Sequence, residues 1–120
     1  MAKAKPKPFD DIDYEDGHLV RRVSPANGTG YTHRCDLESF EAAAHAVDTM
    51  DRRSSRGWTL DMLACEAKIP FTRAAVALSF MKERGVVVTR FRRNFAACSD
   101  TFIDAMVEYT ALKHKSTSTD

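Results

Sequence analysis

Apolar positions fall at helical spacing through the middle and end of the chain, and lose that rhythm in its first third. Leu37, Phe40, Ala43, Ala44, Val47 and Met50 follow a three-four pattern, with Asp36 placed as N-cap and Glu38 in the first turn, which predicts an amphipathic helix over 36–53. The polar run up to Gly57 interrupts it. Leu60, Leu63, Ala64 and Ala67 then repeat behind Thr59, a second N-cap, and predict a short helix that ends at Ile69 and Pro70, because a residue before proline is driven out of helical angles. A third helix starts near Phe71 or Thr72, carries Ala74, Ala77, Leu78 and Met81 on one stripe, and stops at Gly85, where a left-handed cap belongs. Val86, Val87, Val88 and Thr89 are β-branched or nearly so in pattern and lead into Arg90–Phe95, which predicts a hairpin over 86–98 with Asn94 tolerating the positive φ of its turn. Behind Ser99 or Asp100 as cap, Phe102, Ile103, Met106, Val107 and Tyr109 predict a last helix over 100–112.

The ends look different. Residues 1–34 hold most of the prolines and glycines, including the loop from Ser24 to Gly30, and are expected to form a largely irregular arm with at most a short strand at His18–Val23. Phe9, Ile12, Tyr14 and Tyr31 would anchor that arm to one domain spanning 35–112, and 113–120 is expected to be a flexible tail.

Composition adds class and compartment. A hydrophobic fraction of 43% with 29% charged residues suits one folded domain, and no apolar run approaches a membrane span. The N-terminus lacks the apolar stretch of a secretory signal, so a cytoplasmic protein with reduced Cys35, Cys65 and Cys98 is expected. The formal net charge of +1 conceals segregation. Asp10, Asp11, Asp13, Glu15 and Asp16 form one acidic run, Asp36, Glu38, Glu41, Asp48 and Asp51 another, whereas Thr72–Cys98 carries six bases to one acid. Screening limits distant charges to about 8 Å at physiological salt, so an anionic ligand would feel the basic stretch by itself.

Two short helices joined by a tight turn, a glycine and a basic hairpin follow one another here. The residues Thr59, Leu60, Leu63, Ala64, Ala67, Ile69 and Pro70, then Ala77, Leu78, Met81, Arg84, Gly85, Val86 and Val87, resemble the core pattern of bacterial winged helix-turn-helix regulators. That resemblance covers about a third of the chain directly. It implies a mainly α fold with a small β-hairpin wing, a helix-turn-helix at 59–84, and a regulator of transcription that binds double-stranded DNA without catalysis or cofactor. The family commonly has glycine in the turn where this chain has Lys68, a position lysine adopts at modest cost.

Within that reading, Arg90, Arg92, Arg93 and Asn94 meet phosphates, with Phe91 and Phe95 interleaved. Thr72, Arg73 and Ser79 approach the major groove from the third helix, beside Val76 and Phe80, whose apolar surface suits base readout poorly. The alternative is a winged-helix protein-interaction module with Val76 and Phe80 on its binding face. The broad apolar stripes of the first and last helices predict a homodimer through both. The acidic run at 10–16 is expected to be a solvated arm, or, in a sharper form, a segment that folds over the hairpin and competes with DNA. No cysteine or histidine pair has zinc-ligand spacing and no nucleophile motif is present, so neither metal nor catalytic residue is expected.

Overall fold

A computed structural model of the chain describes residues 7–117. Asp11, Asp13 and Glu15 alternate with Ile12 and Tyr14, which is the period of a strand, and the next two residues, Asp16 and Gly17, both take positive φ (50° and 80°). An Asp-Gly pair in that conformation closes a two-residue hairpin, because its twist matches that of paired strands. The strands β1 (Phe9–Glu15) and β2 (His18–Ser24) therefore pair antiparallel with Glu15 opposite His18, and β3 (Tyr31–Asp36) adds to β2 with Cys35 opposite Leu19. The result is a three-stranded sheet in the order β1-β2-β3.

Three helices, a second sheet of two strands and a last helix follow: α1 (Leu37–Arg53), α2 (Leu60–Ala67), α3 (Phe71–Glu83), β4 (Val87–Arg90), β5 (Arg93–Ala96) and α4 (Thr101–Thr117). The leading sheet makes the architecture α+β, which overturns the expectation of a mainly helical winged helix-turn-helix behind an irregular arm. Alternation and turn chemistry decided the conformation of residues 9–36; of the described prolines and glycines that suggested irregularity, Pro8 precedes β1, Gly17 closes its hairpin, and Pro25, Gly28 and Gly30 lie in the loop after β2.

The helices begin and end as their residues dictate. Asp36 caps α1, its carboxylate accepting from the Ser39 N–H (3.3 Å), and Thr59 caps α2 by accepting from the Met62 N–H (3.3 Å). Lys68 turns left-handed (φ 58°) after α2, with Ile69 N–H donating to the Ala64 carbonyl, and Gly85 (φ 74°) does the same after α3, with Val86 N–H donating to Met81. Both are Schellman stops. The Asp48 carboxylate of α1 accepts from the N–H groups of Thr101 and Phe102 (2.9 Å each), so the first turn of α4 is capped by another helix and not by Ser99 or Asp100. Residues 113–117 continue α4 where a tail was expected, and 118–120, like 1–6, lie outside the described residues.

The sheet packs against α3. Leu19, Cys35 and Ile12 meet Phe40 and Val47 of α1, Val76 and Phe80 of α3 and Tyr109 of α4 in one core. Phe40 is its hinge point, edge-on to Phe80 (5.6 Å between centroids) and stacked on Tyr109 (5.2 Å), while Tyr14 meets Tyr109 edge-on (5.8 Å). A fully buried ring of this size contributes about 1.5–3 kcal/mol. No described helix is long and apolar enough to cross a membrane.

Candidate nucleic-acid interface

The turn between β4 and β5 consists of Phe91 and Arg92, at φ 52° and 64°, with Arg90 opposite Arg93 at its base. Asn94, expected in that turn, is instead a buried residue of β5, and its side-chain oxygen accepts from the Thr89 hydroxyl (2.8 Å). Its backbone is equally occupied. Trp58 and Asn94 exchange both N–H···O bonds (3.0 and 2.8 Å), which fastens the hairpin to the loop between α1 and α2.

Gly57 permits this approach. It sits at φ +80°, and a Cβ there would lie 2.7 Å from Phe95, 2.8 Å from Arg93 and 3.0 Å from the Asn94 carbonyl. Asp51, at the C-terminal end of α1, completes the junction: one carboxylate oxygen accepts from the indole N–H of buried Trp58 (3.4 Å) and from the Ala96 N–H (3.0 Å).

The junction brings the segment that carries Arg52, Arg53 and Arg56 against the hairpin that carries Arg90, Arg92 and Arg93, and all six side chains are exposed. Arg53 pairs with Glu66 (2.7 Å), and Arg93 reaches the Met62 sulfur (3.8 Å). Between loop and hairpin runs a groove lined by Ser54, Ser55, Arg90 and Ala96. Exposed guanidinium groups on two tethered elements suit a repeated anion, since each makes charge-assisted, often bidentate bonds to phosphate. The α1–α2 arginines were outside the basic window read from the sequence; the signal was the cluster Arg52-Arg53-Ser54-Ser55-Arg56 itself, which carries no pattern that places it in space.

The residues expected on the third helix lie elsewhere. Arg73 is held at the start of α1, donating to the Ser39 hydroxyl (3.4 Å) and facing Asp36 (3.5 Å). Thr72 is exposed beside it, and Ser79 is half-buried in a groove shared with Asp10 and Ile12 of β1. Ser39 and Asp51 mark the two ends of this separation, roughly 18 Å of helix rise apart. The structure thus joins Arg90, Arg92, Arg93 and Asn94 at one end of α1, leaves Thr72 and Arg73 at the other, and sets Ser79 beside β1. Val76 and Phe80, on which a protein-binding face would have rested, are core residues beneath the sheet.

The acidic run lies in β1 and its turn, and two of its members pair within the sheet. Asp10 receives two bonds from Arg21 (2.7 and 2.9 Å), which hold its carboxyl below the usual range, and Glu15 pairs with Arg22. Burial pushes the Cys35 thiol up to about 12, so it stays protonated at neutral pH, while Cys65 and Cys98 are exposed. Among the described residues no three histidine, cysteine or acidic side chains are grouped to hold a metal ion. Compared with family models, with curated proteins and with solved structures, the chain matches none.

Proposed function

We propose that this protein binds double-stranded DNA through its phosphate backbone, using Arg90, Arg92 and Arg93 of the hairpin together with Arg52, Arg53 and Arg56, and acts as a regulator by occupying DNA. The observation that carries this reading is the paired backbone bonding of Trp58 and Asn94, which fastens the hairpin that bears one arginine cluster to the loop beside the other. Phosphate contacts position a protein without reading bases. Base readout through α3 is no part of the proposal, because the sheet covers the long face of that helix.

Binding to random duplex should weaken steeply with salt, since each neutralised phosphate contributes about −0.9 to the slope of log K against log salt. Replacing Arg90, Arg92 and Arg93 with alanine should lower affinity for all sequences alike and flatten that slope by roughly 2–3, whereas Arg73→Ala should leave both unchanged. A triple variant that binds like the wild type overturns the reading.

A homodimer is proposed with it, through α4 and not through α1 as well, because the apolar stripe of α1 (Phe40, Ala43, Ala44, Val47 and Met50) is buried in the core. Ile103 and Val107, one helical turn apart, are 60% and 62% exposed and share a face with Ala111. Solution mass should correspond to two chains, and Ile103→Asp with Val107→Asp should shift it to one. A wild-type mass of one chain at micromolar concentration removes the dimer and leaves the DNA surface standing.

A further inference from the structure

Phe91 is 99% exposed at the tip of the hairpin, while the other ring of the hairpin, Phe95, packs toward Gly57. An aromatic side chain with no protein neighbour gains nothing for the fold, and its backbone is in the left-handed region, which L-residues with a large side chain occupy at a cost. Its sequence neighbours are Arg90, Arg92 and Arg93, and the α1–α2 arginines stand behind the base of the same hairpin. A flat apolar ring thus leads, and cations follow on either side. Resting on the duplex-binding reading above, we infer that Phe91 is a wedge that enters the base stack of the bound duplex and kinks or unstacks one step.

The dimensions allow it. Beyond Asn94, which is held by Trp58, the Arg90–Arg93 pair and the turn project by roughly 7 Å, and a two-stranded ribbon fits a major groove about 8.5 Å deep. Apolar side chains inserted at a step are a known means of bending duplex, and the unstacking they require is smallest at flexible pyrimidine–purine steps or where a mismatch has already weakened the stack. The wedge therefore specifies a substrate class: duplex with a locally weakened base step is preferred over perfectly paired duplex. An anionic bilayer would also attract arginines, but one ring offers little apolar area to bury there, and its flanking residues are charged.

The test uses the full chain and two short duplexes of equal length, one fully paired and one with a single central T·T mismatch, each with 2-aminopurine beside the central step. Wild type should favour the mismatched duplex by about tenfold, because the mismatch lowers the cost of unstacking the step, and should raise the 2-aminopurine fluorescence on binding. Phe91→Ala should bring the ratio near one with its salt slope retained, and Phe91→Trp should keep the preference. Since Phe91 makes no contact in the fold, an unchanged melting temperature for Phe91→Ala is expected and verifies that the loss is local. If wild type and Phe91→Ala bind both duplexes with the same ratio and neither alters the fluorescence, the wedge is wrong while the duplex surface stands. If wild type binds neither duplex, both readings fall; if it instead binds phosphatidylserine vesicles and loses this with Phe91→Ala, the ring serves a membrane.

Discussion

Phe91 and Arg92 occupy a turn that asparagine and glycine fill most readily, since both positions require positive φ. Each misplaced side chain costs on the order of 1 kcal/mol. The double variant Phe91→Asn, Arg92→Gly should therefore raise stability by roughly 1–2 kcal/mol, seen as a higher denaturation midpoint, while weakening DNA binding. A gain in both stability and affinity would contradict the functional meaning given to this tip. Lys68 presents the same conformation in a different setting, at a helix stop, where the chain direction it secures for α3 outweighs its modest strain. That glycine is customary at this position came from the winged-helix resemblance alone; no local signal around Lys68 announced its left-handed turn. The sequence misplaced the hairpin turn, because Asn94 has the right propensity for a turn and a stronger reason to be elsewhere: its side chain satisfies Thr89 and its backbone satisfies Trp58.

At the level of elements, what could be read from the chain was whatever local spacing decides. Leu37 to Met50, Leu60 to Ala67 and Ala74 to Met81 show their helices by periodicity, and Asp36, Thr59 and Gly85 mark ends that the structure keeps. The first sheet was legible too, in the alternation of Asp11, Ile12, Asp13, Tyr14 and Glu15 ahead of Asp16-Gly17, but its acidic outer face disguised a strand as a solvated arm. The start of α4 at Thr101 falls where the sequence places it, within a residue, but the side chain that caps it was not legible. Asp48, more than fifty residues upstream, supplies its cap, and nothing in local sequence announces a partner at that distance. Asp48→Ala should cost about 1–2 kcal/mol by leaving two N–H groups at the first turn of α4 without that acceptor, measurable by urea denaturation with the slope unchanged. A loss below a few tenths would mean that solvent caps the helix as well as Asp48 does.

Considered as a whole, the molecule holds its acidic strand, paired with arginines of the same sheet, away from the arginines of the hairpin. The sheet with its acidic strand lies over α3 and the beginning of α1, and the hairpin and loop arginines gather at the end of α1. Composition could report only a near-neutral total, and even segment charges mixed Arg73, which is paired with Asp36, with Arg90, Arg92 and Arg93, which are exposed. The location of the candidate surface depends on pairings across the chain, between positions 57–58 and 93–95 and between 51 and 96, so no window of sequence contains it.

Asp51 makes that dependence measurable, because two physical effects oppose one another at a single carboxylate. Removing a negative charge near six arginines should, by Coulombic attraction alone, tighten the grip on a polyanion. The same carboxylate holds the Trp58 indole and the Ala96 amide in place, and without it the two sets of guanidinium groups lose their common footing. Asp51→Ala is expected to bind duplex several-fold more weakly while still folded by circular dichroism. Tighter binding would mean that the arginines act as a diffuse cloud, whose mutual alignment is irrelevant, and the sign of one affinity change separates a machined surface from a merely positive one.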